Sequence, residues 1–167
     1  RWSKHSASVK AGRLKALPRS RILPLSISSI SLICDKGNKK KDIKVVLADP
    51  IGSSISGFVM GREVVSDLGS YVIEGVGKDS VPKLLDRELI NSVIGISDQE
   101  AIDMCHKLKS EENIHLGGSS GLNISAAVKV ASEASPGSNI VTIGCDSGVK
   151  YESKIYNDDW LKENNFS

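Results

Sequence analysis

The stretch GGSSGLNISAAVKVASEASPGSNIVTIGCDSG, residues 117–148, decides the fold class of this chain. A glycine turn opens it, and apolar residues at helical spacing then extend over about residues 122–134. The pair Pro136-Gly137 ends that helix, and Ile140–Ile143 is typical of a buried strand that runs into a second glycine turn. The order turn, helix, strand, turn predicts one unit of an α/β fold.

The same alternation continues upstream and downstream. Ile43–Ala48 is a β-branched run that predicts a strand, and Tyr71–Ile73 is a second candidate strand. The sequence Ser97–Glu100 is a capping box, and the apolar spacing over 101–108 predicts a helix of about three turns behind it. Residues 151–163 predict a surface helix. We therefore predict an α/β fold with a mostly parallel sheet flanked by helices, and ligand sites beyond the carboxyl ends of the strands.

Composition bounds the class of protein. The chain has 167 residues, 40% of them apolar and 25% charged, which suits one domain with a real core. No apolar stretch approaches the length of a membrane span. The three cysteines form no CxxC pair, so we expect a reducing compartment. The histidines lie far from any pair of cysteines at metal-ligand spacing, so we expect no metal site. The expectation is a cytoplasmic protein.

The net charge of +2 hides two different segments. Residues 1–41 carry eleven Lys and Arg and one acid, whereas residues 42–167 carry eleven Lys and Arg and nineteen acids. We predict a basic, serine-rich segment over 1–41, disordered or foreign to the domain, and a folded unit over 42–167. An organelle transit peptide (mitochondrion or plastid) and a nucleic-acid-binding arm are the other interpretations of the basic segment. Because the sequence begins with Arg1 rather than Met, we expect it to be incomplete at that end.

Three predicted turns carry candidate functional residues. The first, GGSSG, matches G-x-S-x-G with Ser119 as nucleophile, but that motif needs a later acid and a later histidine, and the last histidine is His115. A hydrolase is therefore rejected, and the hydroxyls of Ser119 and Ser120 remain for helix capping or for an anionic ligand. The second turn carries Asp146 and Ser147 after the predicted strand, and the third carries two closely spaced glycines over 74–77.

A catalytic cysteine–histidine pair is not predicted. Cys105 and His106 are neighbours on one predicted helix, so their side chains point in different directions. We expect a core cysteine beside a surface histidine.

Four separated motifs occur in a telling order: KVVLADPIGS (44–53), EGVGKDSVPKLLDRELI (74–90), GGSSGLNISAAVKVA (117–131) and IVTIGCDSGVKYESKIYNDDWLKEN (140–164). Together they resemble the cysteine synthase and cystathionine β-synthase family. These are pyridoxal-phosphate enzymes of the tryptophan-synthase-β-like fold (fold type II). The resemblance covers about residues 42–165 and corresponds to the C-terminal part of the catalytic domain of that family.

The resemblance implies six residues at the cofactor: Ser147, Gly75, Val76, Gly77, Ser119 and Ser120. It places the Ser147 hydroxyl on the pyridine nitrogen, the three residues 75–77 in a loop beside the substrate and the ring edge, and the two serines in a turn near the cofactor. A neutral hydroxyl does not keep the ring nitrogen protonated as a carboxylate would, so the ring is a weaker electron sink. That favours β-elimination and β-replacement over transamination.

The chain departs from the family pattern at two places. Residues 26–42, before the strand at 43–48, hold one glycine and no threonine where the family carries a phosphate-binding loop. The candidate for the Schiff-base lysine is Lys10, but Ala-Gly-Arg follows it instead of Asp-Arg. No other catalytic residue is assigned. Lys78 stands where cystathionine β-synthases tend to carry an aromatic residue, which favours a cysteine-synthase-like member.

By family, the expected activity is β-replacement or β-elimination on an activated serine, with sulfide or a thiol as second substrate and pyridoxal 5'-phosphate as cofactor. We expect small-molecule substrates, no nucleic-acid partner and no membrane partner. Because both cofactor-attachment motifs depart, we expect the chain as given to be truncated and inactive alone. The alternative is a non-catalytic interaction module that pairs with a full-length homologue or forms a homo-oligomer.

Overall fold

The computed structural model describes residues 30–34, 43–62 and 70–167. Within these ranges four strands form one sheet: β1 (Ile30–Cys34), β2 (Ile43–Pro50), β3 (Ser92–Ile96) and β4 (Asn139–Val141). The helices are α1 (Ser54–Val59), α2 (Asp98–Glu112), α3 (Gly118–Glu133) and α4 (Asp158–Glu163), with short 3-10 helices at Arg87–Leu89 and Gly148–Tyr151. None of the helices in the described ranges is long and apolar enough to cross a membrane.

The sheet has the strand order β3-β2-β1-β4. Strands β2 and β3 pair in parallel, and β1 pairs antiparallel with both β2 and β4. Three strands therefore run in one direction, as the α/β prediction expects, and β1 alone runs against them, which makes the sheet mixed. Strand β1 lies on the N-terminal side of the boundary drawn between residues 41 and 42, and that boundary stays a prediction.

The strand predicted at Tyr71–Ile73 is wrong. Its backbone N–H groups turn away from any neighbouring strand: those of Val72 and Ile73 donate to the Asp98 carboxylate, at 2.9 and 3.3 Å. Residues 92–96 take the place beside β2 instead. The carboxylate at the start of α2 thus fixes residues 71–73 as an extended connection, a contact that no local pattern announces.

Strand β2 is buried on both faces at its carboxyl end. Leu47 and Ala48 are 0% exposed and point to opposite sides. Ala48 joins the larger core cluster with residues from α2 and α3, whereas Leu47 packs with Ile55 and Leu85 in a smaller cluster. Burial of a side chain of the size of Leu47 or Ile55 contributes about 1.5–3 kcal/mol. The continuous apolar run of β2 follows from this double burial.

Helices α2 and α3 form the main helical layer. The capping box that starts α2 is present, with the Ser97 hydroxyl accepting from the Glu100 N–H and the Glu100 carboxylate accepting from the Ser97 N–H. Helix α3 begins at Gly118, four residues before the predicted start, because the glycine and serine residues of the turn already adopt helical geometry. A Cβ on Gly121 would collide with the Ala101 carbonyl oxygen. Glycine at this position lets the two helices approach closely.

The predicted surface helix over 151–163 is wrong in extent. Residues 148–151 form a 3-10 helix, and α4 starts only at Asp158. The side chain of Asn157 accepts a hydrogen bond from the Trp160 N–H at 2.9 Å and so caps a new helix there. Asn157 therefore divides the segment into two short pieces.

Candidate functional site

Three turns meet in the structure, and they are the three singled out from the sequence. The N–H of Gly117 donates to the Asp146 carbonyl at 3.1 Å, and Leu116 forms an isolated antiparallel bridge with Ser147. The Glu74 carboxylate forms an ion pair with Lys154. Backbone bonds thereby join the start of α3 to the turn after β4, and the Glu74–Lys154 ion pair joins the turn at 74–77 to the segment that follows.

Ser147 occupies an exposed position on the turn after β4. It is the N-cap of the 3-10 helix, and its Oγ accepts from the Val149 N–H at 3.4 Å. A hydroxyl that accepts this bond keeps its own proton to donate. Ser147 can therefore donate to a pyridine nitrogen without losing its capping bond. The contact itself stays a prediction.

The turn Gly75-Val76-Gly77 has a backbone that favours glycine at both ends. Gly75 has φ of 79° and Gly77 has φ of 65°. A Cβ on Gly77 would lie 2.6 Å from the Pro50 ring and 2.7 Å from Tyr71, so this position needs glycine for space as well. The Val76 side chain is 6% exposed and belongs to the core, so only its backbone can approach a ligand. The Val76 side chain therefore fills the core side of this turn.

The turn is anchored to the start of α1. The Ser53 Oγ accepts from the Lys78 N–H at 3.2 Å, and the Ser54 N–H donates to the Lys78 carbonyl at 2.9 Å. Both backbone groups of Lys78 are therefore held, while its side chain is exposed.

Ser119 and Ser120 are buried, with exposures of 5% and 0%. The N-cap of α3 is Gly117, without a side-chain cap bond, so neither serine caps the helix. The Ser120 Oγ instead accepts from the Cys145 N–H at 2.8 Å and ties α3 to the loop before Ser147. In this structure the Ser120 hydroxyl holds the loop that leads to Ser147. Contact of either serine with the cofactor stays a prediction.

Asp146 is held next to Ser147 by a network of its own. Its Oδ2 accepts from the Tyr151 hydroxyl at 3.0 Å and lies 3.5 Å from the Lys150 ammonium. Its Oδ1 is buried against Gly117, where the amino end of α3 favours negative charge. Burial, together with the Asp146 carboxylate, raises the pKa of Tyr151 to about 12, so its hydroxyl keeps its proton and keeps donating.

Cys105 is a core cysteine, as predicted, with an exposure of 0%. Burial raises the pKa of the Cys105 thiol to about 11, so it stays protonated. The prediction of a surface histidine beside it is wrong, because His106 is half-buried. Its ring stacks on Tyr156 with centroids 5.3 Å apart, and its Nε2 lies 2.6 Å from the Ile155 carbonyl oxygen.

The residues of the site do not by themselves fit the whole cofactor. The cavity between the turn at 74–77 and the last segment has a volume of about 10 Å³, enough for about one water molecule, whereas ligand pockets span some 300–1,000 Å³. Lys10 lies outside the described residues. Lys154 is paired with Glu74 and Lys150 with Asp146, whereas Lys78, next to Gly77, has an exposed side chain.

Sequence reasoning missed two buried or anchoring carboxylates. Asp49, at the carboxyl end of β2, is 0% exposed and accepts from the Ser56 N–H at 2.9 Å. Burial raises its pKa despite those hydrogen bonds. Asp98 anchors the connection that leads into Gly75. An aspartate directly after a strand was the available signal for Asp49; nothing in the capping-box pattern indicates the partners of Asp98.

Several known proteins are similar to this chain over most of its length. The family model described as "Pyridoxal-phosphate dependent enzyme" matches residues 26–146. "Cysteine synthase 1" of Neurospora crassa is 36% identical over 126 residues, which cover 74% of this chain and 34% of that protein. "Cysteine synthase" of Dictyostelium discoideum is 37% identical over 129 residues, covering 72% and 34%. "Cystathionine beta-synthase" of Saccharomyces cerevisiae is 36% identical over 143 residues, covering 84% and 27%.

These matches confirm the resemblance inferred from the four motifs. The family match starts at residue 26 and so includes β1. The chain spans about a third of the length of the cysteine synthases it matches. Because the family model covers more than half of the 167 residues, the chain belongs to the family of pyridoxal-phosphate dependent enzymes.

Proposed function

We propose that this chain serves a cysteine-synthase-like reaction: β-replacement or β-elimination on an activated serine, with sulfide or a thiol as second substrate. The observation that carries the proposal is the exposed Ser147 hydroxyl, presented on a turn whose backbone is bonded to the start of α3. The names of the relatives, cysteine synthase and cystathionine beta-synthase, support the substrate class.

The residues of this chain have distinct parts in that reaction. Pyridoxal phosphate, when bound, would supply an electron sink for the amino-acid substrate. Ser147 would hold its ring nitrogen by donating from a neutral hydroxyl, which would leave that nitrogen uncharged and the sink weaker. Gly75 and Gly77 have a left-handed backbone and no side chain, so a ligand could approach their main chain closely. Tyr151 and Asp146 hold the turn that carries Ser147.

We further propose that the 167-residue chain does not turn over alone. Its described residues form one wall of the site, and covalent attachment of the cofactor needs a lysine that they do not place there. The binding we expect is therefore reversible and weak. In this proposal Ser147 contributes the contact to the ring, and the described residues do not supply all of the other contacts.

The test is an absorbance titration of the purified chain with pyridoxal phosphate, followed by borohydride trapping and peptide mapping. We expect a saturable change that Ser147→Ala weakens about fivefold, since one hydrogen bond contributes roughly 1 kcal/mol. Ser132→Ala, an exposed serine on α3, is the matched control and leaves binding unchanged. Equal binding by the parent chain and Ser147→Ala would refute the role of Ser147. A label trapped on Lys10 would refute the proposal of reversible binding and assign the covalent lysine.

A second candidate function is an interaction module that pairs with a full-length homologue. The observation that favours it is the apolar surface around strand β4: Val141, Ile143 and Val149 are 53%, 50% and 69% exposed. Strand β4 is also an edge of the sheet within the described residues, and such edges pair readily. Size-exclusion chromatography at two concentrations, with and without a full-length cysteine synthase, separates a defined heteromer from a monomer and from aggregate. A chain that stays monomeric in the mixture would exclude this function.

A further inference from the structure

His115 touches the Ser147 turn through both its backbone and its ring. Its carbonyl oxygen accepts from the Gly148 N–H at 3.1 Å. A Cβ on Gly148 would lie 2.5 Å from the imidazole Nε2, so the ring lies directly against the Gly148 α-carbon. The next residue, Leu116, forms the bridge to Ser147. The position of Ser147 is thus set from the His115–Leu116 side.

The same imidazole nitrogen also faces a carboxylate from the segment that Ser147 caps. Nε2 of His115 lies 3.2 Å from Oε1 of Glu152, in a geometry that makes no hydrogen bond. The contact is therefore electrostatic, and it is attractive when the imidazole carries a proton. Glu152 ends the 3-10 helix that Ser147 caps, so this contact clamps the turn at its other end.

The surroundings keep the imidazole in place. The ring edge of His115 meets the Tyr156 ring with centroids 4.4 Å apart, and the Tyr156 hydroxyl donates to the Leu116 carbonyl at 2.6 Å. The Lys109 ammonium lies over the Tyr156 ring at 4.4 Å and 3.6 Å from Glu152. The charged and titratable groups that face the imidazole from the packed elements are Glu152, Lys109, Tyr156 and, behind Tyr156, His106 and Cys105.

We propose that His115 is a positioning residue for Ser147: its ring and its contact with Glu152 hold the Ser147–Gly148 turn. Loss of this clamp, which consists of the His115 ring and its contact with Glu152, loosens the turn. The clamp rests on geometry alone, whereas its consequence for the cofactor rests on the proposed function. A looser turn leaves the Ser147 hydroxyl without a fixed direction, which weakens a bond to a ring nitrogen.

Amide hydrogen exchange in the ¹⁵N-labelled chain tests the clamp without any cofactor. We expect His115→Ala to accelerate exchange of the Gly148 amide roughly fivefold, because the ring's contact with the Glu152 carboxylate and its packing against Gly148 are lost. His115→Gln keeps an amide near the position of Nε2 and restores most of the protection. His106→Ala, on the other side of Tyr156, is the matched control and leaves Gly148 unchanged. The Ile102 amide in α2 reports global stability and stays constant.

Two results would overturn the proposal. One is an unchanged Gly148 amide in His115→Ala; the other is acceleration of Gly148 and Ile102 by the same factor, which is global destabilisation. If His115→Ala does not fold, Glu152→Gln on the surface decides. We then expect faster exchange of the Gly148 amide in Glu152→Gln than in the parent chain, and an unchanged rate would refute the clamp. Faster exchange of the Gly148 amide in His115→Ala, together with unaltered pyridoxal-phosphate binding, would support the clamp. The same result would refute the proposed function, in which Ser147 contacts the cofactor.

Discussion

Helices α2 and α3 are held together by small and apolar residues that lie away from water, whereas the segment over 144–156 is held by polar contacts between half-exposed residues. In the helical pair, Gly121 lies on the Ala101 backbone, and Ile102 and Leu122 are almost fully buried. In the segment, hydroxyl, carboxylate and imidazole groups make the contacts. The difference indicates a rigid frame that carries an adjustable turn with Ser147.

The largest expected effect concerns the frame. Gly121→Ala places a methyl group on the Ala101 carbonyl oxygen and 2.5 Å from the Cys105 sulfur, so the helices must separate. We expect the free energy of unfolding to fall by about 3 kcal/mol, the upper range of overpacking. Urea denaturation measures it. Gly95→Ala in β3 is the control, since its nearest neighbour would lie at 3.5 Å, and it changes stability by less than about 1 kcal/mol. Equal stability of both variants would contradict the close helix contact.

A smaller effect is expected where the two regions join. Ser120→Ala removes the acceptor of the Cys145 N–H and leaves that amide without its bond to α3. We expect a loss of about 1–2 kcal/mol by urea denaturation, together with faster exchange of the Cys145 amide. Ser132→Ala on the exposed side of the same helix is the control. A Cys145 amide that exchanges at the parental rate in Ser120→Ala would show that the bond does not hold the loop.

The smallest effect lies within the polar segment. Tyr151→Phe removes the hydrogen bond to Asp146 and costs about 1 kcal/mol near neutral pH. Folding raises the pKa of Tyr151 from its ordinary 10.0 to about 12, so the folded state binds the proton more tightly. Its contribution is therefore complete below pH 10 and declines as the pH rises toward about 12. The stability difference between the parent and Tyr151→Phe should shrink over that interval, which chemical denaturation at several pH values measures. A difference that grows with pH would contradict the hydrogen-bonded, neutral tyrosine.

The frame could be predicted from the sequence because its signals are local. The capping box at Ser97 and Glu100 and the burial of Cys105 follow from spacing alone. Strand β3 escaped prediction because its sequence SVIGI is short and broken by glycine, and the extended residues 71–73 looked equally strand-like. The start of α3 was placed too late because Gly and Ser are poor helix formers, and packing overrode that propensity.

The site could be predicted only in outline. The four motifs located its turns, and the structure brings those turns together. The partners within it are tertiary: Ser120 with Cys145, Asp98 with Val72, and His115 with Glu152. Such pairs are 25 or more residues apart in sequence, and no spacing rule connects them. The burial of Ser119 and Ser120 likewise depends on tertiary contacts.

The most direct measurement of the role of this turn is the pattern of ¹⁵N chemical-shift changes when pyridoxal phosphate is added to the labelled chain. We expect shifts at Ser147–Val149 and at Gly75–Gly77, with α2 unaffected, and their loss at Ser147–Val149 in Ser147→Ala. Shifts scattered over surface lysines such as Lys83 and Lys162, with both turns unchanged, would contradict the assignment of the site.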